Sequence, residues 1–176
     1  MWEKPINSII DGEKQLLDRA SAGDAAAAKS LIERYLKLLF SFVISFAPFG
    51  REQAFHVTVA SFVRAFQKYP RVAADGEWLQ ALFRETLGEC ARVVPSGGMD
   101  LRKEPLRTVH QALLQLSLSD KTLLLLRDQC HFSFETIAAI LGSTAQESRL
   151  TCLAARERLR ATLGEILQKP GAANGV

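Results

Sequence analysis

Apolar residues recur along this chain at steps of three and four, and the runs that keep this rhythm are cut by proline and glycine. The first long run starts behind Asp24, a residue able to cap a helix beginning at Ala25. Four alanines lead into Leu31, Ile32, Tyr35, Leu36, Leu39, Phe40, Val43 and Ile44, a stripe so wide that the helix must be largely buried. Pro48 and Gly50 stop it. The stretch Glu52 to Tyr69 then sets Phe55, Val59, Phe62, Val63 and Phe66 at helical steps, and Pro70 ends it. Asp75 is expected to cap a third helix reaching Val94, with Trp78, Leu79, Leu82, Phe83 and Leu87 as its apolar members. With a short helix over Gly12 to Ala22, residues 1–94 read as a three- or four-helix bundle.

From Pro95 to Glu104 the periodicity is lost and glycine mixes with charge, the composition of a flexible connection. Four shorter helical stretches follow, at Pro105 to Leu116, Ser119 to Asp128, Ser133 to Leu141 and Thr144 to Lys169. The expected fold is all-α, with an N-terminal bundle (1–94), a flexible linker (95–104), a C-terminal four-helix domain (105–169) and a disordered tail (170–176). No alternating apolar run is long enough for a convincing strand.

Within the second half, Ser133 can cap a short helix that stops at Gly142, and Thr144 can cap the next one. This is the spacing of a helix-turn-helix. Ala138 is small enough for a close helix crossing, Gly142 allows a left-handed turn, and Ile137 and Leu141 are expected to anchor the first helix. In the second helix Ser148, Cys152, Ala155 and Leu159 would face inward, leaving Gln146, Glu147, Arg149, Leu150, Thr151 and Leu153 to face a major groove. Two packed helices joined by a tight turn fit the same spacing. Leu150 and Leu153 suit thymine methyls or an apolar patch for a protein partner.

Charge sharpens this only locally. The net charge is +3, but Arg149, Arg156, Arg158 and Arg160 stand against Glu157 alone, an expected cluster of positive potential beside the motif. Cys90, Cys130 and Cys152 are too widely spaced for a disulfide framework or a paired metal site, which suits a reducing cytoplasm. No apolar signal core opens the chain, and the run from Leu36 to Phe49 is too interrupted and short to span a bilayer, so neither secretion nor membrane insertion is expected. No catalytic residue, metal ligand or cofactor site is assigned, because no nucleophile elbow, phosphate loop or paired acid motif occurs.

The segments around Ala112-Leu-Leu-Gln-Leu-Ser, Leu123 to Arg127, Phe132-Ser-Phe-Glu-Thr-Ile-Ala and Ala155-Arg-Glu-Arg-Leu-Arg160 are similar, in order and spacing, to the fourth region of extracytoplasmic-function sigma factors. Upstream, Phe62, Arg64, Ala65 and Phe66 look like the end of that family's polymerase-binding helix, and Trp78-Leu79, Leu82, Arg84 and Arg92 resemble its helix for the downstream promoter element. The resemblance spans about Leu31 to Leu163. It implies a transcription initiation factor whose partners are promoter DNA and core RNA polymerase, with an anti-sigma factor as a further partner the family admits. It would place DNA contacts at Gln146, Glu147, Arg149, Leu150, Thr151, Leu153, Arg156, Arg84 and Arg92, and polymerase contacts at Phe55, His56, Val59, Phe62, Val63 and Phe66.

The chain departs from the family pattern at named positions. Gln53-Ala-Phe-His56 and Val59-Ala60 replace an acidic cluster and a glutamine-glutamate pair, Glu85 replaces an asparagine, Ser143 and Ser148 replace aliphatic residues, and Ala154 replaces a basic one. The lost acids favour a second reading, a sigma-like interaction module that no longer docks on polymerase and binds a protein through Phe55, Val59, Leu150 and Leu153. Trp78 suits either core packing or base stacking, and Arg84 and Arg92 suit either a solvated or a DNA-facing surface.

Overall fold

The computed structural model describes residues 10–93 and 104–168. Their regular elements are all helical: α1 (Glu13–Ser21), α2 (Ala25–Phe46), α3 (Arg51–Lys68), α4 (Glu77–Arg92), α5 (Glu104–Gln115), α6 (Leu118–Leu124), α7 (Phe134–Leu141) and α8 (Ala145–Gln168). The all-α expectation holds. The start of α2 also follows the sequence: the Asp24 carboxylate accepts the Ala26 and Ala27 N–H groups at 3.0 and 3.1 Å, a cap typically contributing about 1 kcal/mol. Residues 95–103 of the expected linker and the tail 170–176 lie outside the described residues.

At α4 the expectation fails. Asp75 does not cap it; the N-cap is Gly76, in the left-handed conformation at φ 88° with no side-chain cap of its own. Asp75 turns instead to the start of α1, where it accepts the N–H groups of Gly12 and Lys14 at 3.0 and 2.7 Å. Glu13 returns the exchange. Its fully buried carboxylate accepts the N–H groups of Gly76, Trp78 and Leu79 at 2.8, 3.1 and 3.1 Å and the Tyr35 hydroxyl at 2.6 Å. The first turn of each helix leaves N–H groups without intrahelical partners, and here each helix start supplies the carboxylate the other needs. Reciprocal capping thus locks α1 across the bundle.

α3 settles which of its aromatic and branched residues are core. Its inner face is Ala54, Val57, Thr58, Ser61, Phe62 and Ala65, mostly small residues that let it lie close to its neighbours. The hydroxyls of Thr58 and Ser61 donate back to the Ala54 and Val57 carbonyls, so neither is buried unpaired. Phe55, Val59 and Val63, expected in the same stripe as Phe62, form a separate exposed line. Trp78 is fully buried among Tyr35, Phe62 and Phe66, with ring centroids 5.9, 6.3 and 4.9 Å away, so the core reading holds for it.

The second half is packed onto the first. Buried residues from α1 to α4 and from Leu123, Leu125, Leu126, Cys130, Phe132, Ile137 and Ile140 form one continuous cluster. Phe83 and Phe132 meet edge to face at 4.9 Å, Gln129 Nε2 donates to Ser41 Oγ at 2.9 Å, and the Lys121 ammonium lies 5.0 Å from the Phe46 ring centre. Between α6 and α7 the chain passes through a π-helical turn, Leu125–Gln129, and reverses at His131, whose φ of 58° puts it in the left-handed region.

Candidate nucleic-acid interface

The turn between α7 and α8 is built as its residues require. The Ser133 hydroxyl accepts the Thr136 N–H at 3.1 Å to start α7. Gly142 ends it at φ 69° and ψ 34°, where a side chain would be strained. Thr144 and Glu147 then form a reciprocal capping box: Thr144 N–H donates to the Glu147 carboxylate at 2.8 Å, and Glu147 N–H donates to the Thr144 hydroxyl at 3.1 Å. The Thr144 N–H, and beside it the Thr144 hydroxyl, hold the Glu147 carboxyl below its ordinary value.

Ser148, Cys152 and Ala155 are buried and Leu159 half-buried, which is the inward stripe expected of α8. Ile137 anchors α7 as expected, but Leu141 does not; Ile140 is its buried partner, and Leu141 faces a groove toward the bundle. The reason is the tight stop at Gly142, which leaves the last residue of α7 beyond the crossing point. Ser143 and Ser148, standing where aliphatic residues were expected, bond hydroxyl to hydroxyl at 2.9 Å.

On the outer face Gln146, Arg149, Leu150 and Leu153 are exposed, Leu150 by 61%. Glu147 is exposed but bound into the cap, and Thr151 is half-buried on the groove between the halves. The basic cluster is largely neutralised. Arg156 pairs with Asp128, Arg160 with Glu157, and Arg158 makes two 2.7 Å bonds to the buried Asp120. The Arg158 guanidinium holds the Asp120 carboxyl below its ordinary range. Among the described residues Arg149 is the member with no carboxylate in ion-pair range. Its guanidinium lies 5.4 Å from the centre of the Phe134 ring, and that of Arg127 lies 4.7 Å from the same ring.

The bundle side is equally altered by pairing. Glu85, which stands where the family pattern has an asparagine, is buried under the Lys68 ammonium, which donates to both its oxygens at 2.9 Å. Glu89 pairs with Arg64 and Arg92, so Arg92 is tied while Arg84 stays exposed. Of the residues expected to contact polymerase, Phe55, His56, Val59 and Val63 are exposed, whereas Phe62 is only 4% exposed and Phe66 is half-buried against Trp78; those two hold the helix rather than present its surface. Beside Phe55 a groove of about 760 Å³ is floored by Leu36 and Phe40 and rimmed by Glu33, Lys37, Arg51 and Glu52, two acids and two bases.

Sequence reasoning assigned no role to Arg127, Phe134, Asp128 or Glu13. Arg127 and Phe134 fall inside the quoted family segments, but only the fold sets both beside Arg149. Among the described residues no helix is long and apolar enough to cross a membrane. The three cysteines are buried, and burial pushes the Cys90 thiol up to about 12.

Among the described residues, a helical bundle packed on further helices, the last two joined by a tight turn at Gly142, defines the class of fold. The solved structure described as CnrH in complex with the cytosolic domain of CnrY shares it, with a TM-score of 0.72 and 21% identity over 88% of this chain and 98% of that one. No protein-family model matches the chain, and a search of curated proteins finds no similar sequence.

Proposed function

We propose that this chain is a transcription initiation factor of the sigma class, acting in the cytoplasm and binding promoter DNA through α7 and α8 and core RNA polymerase through the exposed side of α3. The observation that carries the reading is α8 itself: a helix-turn-helix seated on Ser148, Cys152 and Ala155 that presents Gln146, Arg149, Leu150 and Leu153 to solvent. Capped by its own box and stopped by Gly142, the second helix is rigid enough to enter a major groove with its first turns foremost. The order of the two resembling segments, and a fold shared over both halves with CnrH, support it.

The same surfaces favour one alternative, a sigma-like module whose partner is a protein. Phe55, Val59 and Val63 make an apolar line beside the α2–α3 groove, whose rim is charge-balanced where an acidic cluster was expected. CnrH, of the same fold, was solved bound to the cytosolic domain of a second protein, CnrY, and a protein partner suits this chain under either reading.

Co-purification of the tagged protein with core polymerase, followed by a salt titration, separates the two. The sigma reading expects a stoichiometric complex that then binds promoter DNA with an affinity falling as salt rises. Another protein retained in place of polymerase at low salt rejects it in favour of the module.

A further inference from the structure

The outer face of α2 and α3 carries a knob and a hole side by side. Phe55, Val59 and Val63 form an apolar line, each 42% to 52% exposed. Next to it the groove of about 760 Å³ opens over Leu36 and Phe40. The small residues Ala54, Thr58 and Ser61 take the core side of α3, so the large ones are left gathered in one patch rather than scattered. Apolar surface gathered in this way marks an interface.

The charged rim says what kind of surface fits. Glu33 and Lys37 stand on α2, Arg51 and Glu52 on α3, and all four are exposed. None is firmly engaged within the molecule. Glu33 meets Lys29 at 3.7 Å and Glu52 meets His56 at 3.8 Å, both across one exposed helical turn, where an ion pair contributes little. Among the described residues Lys37 and Arg51 have no carboxylate in ion-pair range. An acidic partner would meet two carboxylates here and a basic partner two cations, so neither sign is selected. What is selected is the same pattern reversed.

A second copy turned by half a revolution supplies that pattern. α3 opens with Arg51 and Glu52 just past the C-terminal end of α2, whereas Lys37 and Glu33 stand between two and four turns back from that end, by the usual helical repeat. The bases and acids therefore lie at opposite ends of the groove. A twofold axis through its middle sets Glu33 of one copy against Arg51 of the other and Lys37 against Glu52, each contact made twice, and carries Phe55 of each copy over Leu36 and Phe40 of the other.

We propose that this chain self-associates as a symmetric dimer through the α2–α3 face, with Phe55 as the apolar anchor and the four rim charges setting the register. The patch is small beside that of a permanent dimer, so the association is weak and follows concentration. The inference goes beyond the proposed function and does not depend on it. Under the sigma reading the dimer covers the side of α3 assigned to polymerase, so the two complexes exclude each other.

The test is sedimentation velocity of the full chain from roughly 1 to 300 µM, the span that brackets a weak complex. The wild type should pass from monomer toward dimer across that span, and Phe55→Ser should stay monomeric. Glu33→Arg should weaken the dimer on the order of tenfold by setting like charges together. Adding Arg51→Glu to Glu33→Arg should restore it to within a few-fold of wild type, a rescue that damage to the fold cannot produce. A wild type that stays monomeric throughout overturns the proposal, as does a dimer indifferent to Phe55→Ser or one that the second charge reversal fails to rescue. Adding core polymerase separates this inference from the proposed function. If the dimer forms and polymerase neither binds the chain nor dissociates it, the dimer stands and the sigma reading falls; if polymerase binds a chain that is monomeric throughout, the dimer falls and the sigma reading stands.

Discussion

Arg156 shows how far a residue's formal charge is from its available charge. Counting side chains between positions 149 and 160 suggests a strongly positive face, but Asp128, Asp120 and Glu157 take three of the four guanidiniums. Asp128 lies 28 residues before Arg156, so no local count reveals the pair. Asp128→Asn should therefore free Arg156, strengthen duplex binding several-fold and steepen the salt slope by about 1; anisotropy showing no change would mean Arg156 faces away from DNA. Glu13 makes the opposite point, an ionisable group used only for structure. Burial raises its carboxyl above the ordinary 4.5, with the Tyr35 and backbone bonds opposing. A raised carboxyl favours the folded state most when protonated, so its contribution is full below pH 4.5 and declines as pH rises through the folded value. Denaturant titrations should find the wild-type advantage over Glu13→Gln shrinking across that window. Asp120, held low chiefly by Arg158, runs the other way: its contribution is present above 3.8 and is lost as pH falls through its folded value.

Among the elements, the boundaries of α2, α3, α7 and α8 were legible because proline, glycine and capping side chains act within a few residues. The start of α4 was not, since its cap comes from Glu13, more than 60 residues earlier. The facing of α3 was hidden for a different reason. An apolar arc covering Phe55, Val59, Phe62, Val63 and Phe66 is wider than one contact face, and periodicity cannot say which edge is buried. The neighbours decide it: Ala54, Thr58 and Ser61 allow the closest approach, so that side turns in and Phe55 turns out. Gly142 is the element-scale position with the clearest cost. Its φ is 69° and a Cβ there would meet nothing within 4 Å, so Gly142→Ala should cost about 1 kcal/mol of stability by backbone strain alone. Gly142→Asn should cost less, because asparagine tolerates the left-handed region. Equal losses in chemical denaturation would point to packing.

At the scale of the molecule, the division into a bundle, a connection and a second domain is a proposal about sequence, while one buried cluster runs from α1–α4 into Leu123, Phe132, Ile137 and Ile140, and α8 packs on a second, small one of Leu124, Cys152 and Ala155. Phe83 and Phe132 are the joint of the first, so a double-mutant cycle with alanine should give a coupling of about 0.5–1.5 kcal/mol on top of single losses of about 3–5 kcal/mol. Unfolding should be one transition seen alike by far-UV dichroism and tryptophan fluorescence; two transitions with no coupling would show halves that fold apart. The joint also bears on the proposed function. A face on α8 that must leave the bundle to reach DNA binds with its affinity reduced by the fraction of open molecules. By itself the sequence determined the helical class, most helix ends and the turn between α7 and α8, because periodicity, capping and glycine conformation are local. Only the tertiary structure decided which charges are spent in pairs, which side of α3 is open, what caps α4 and that the two halves close on one another. Those outcomes depend on groups far apart in the chain, and no rule of spacing brings Glu13 to Gly76, Asp120 to Arg158 or Arg127 and Arg149 to one ring.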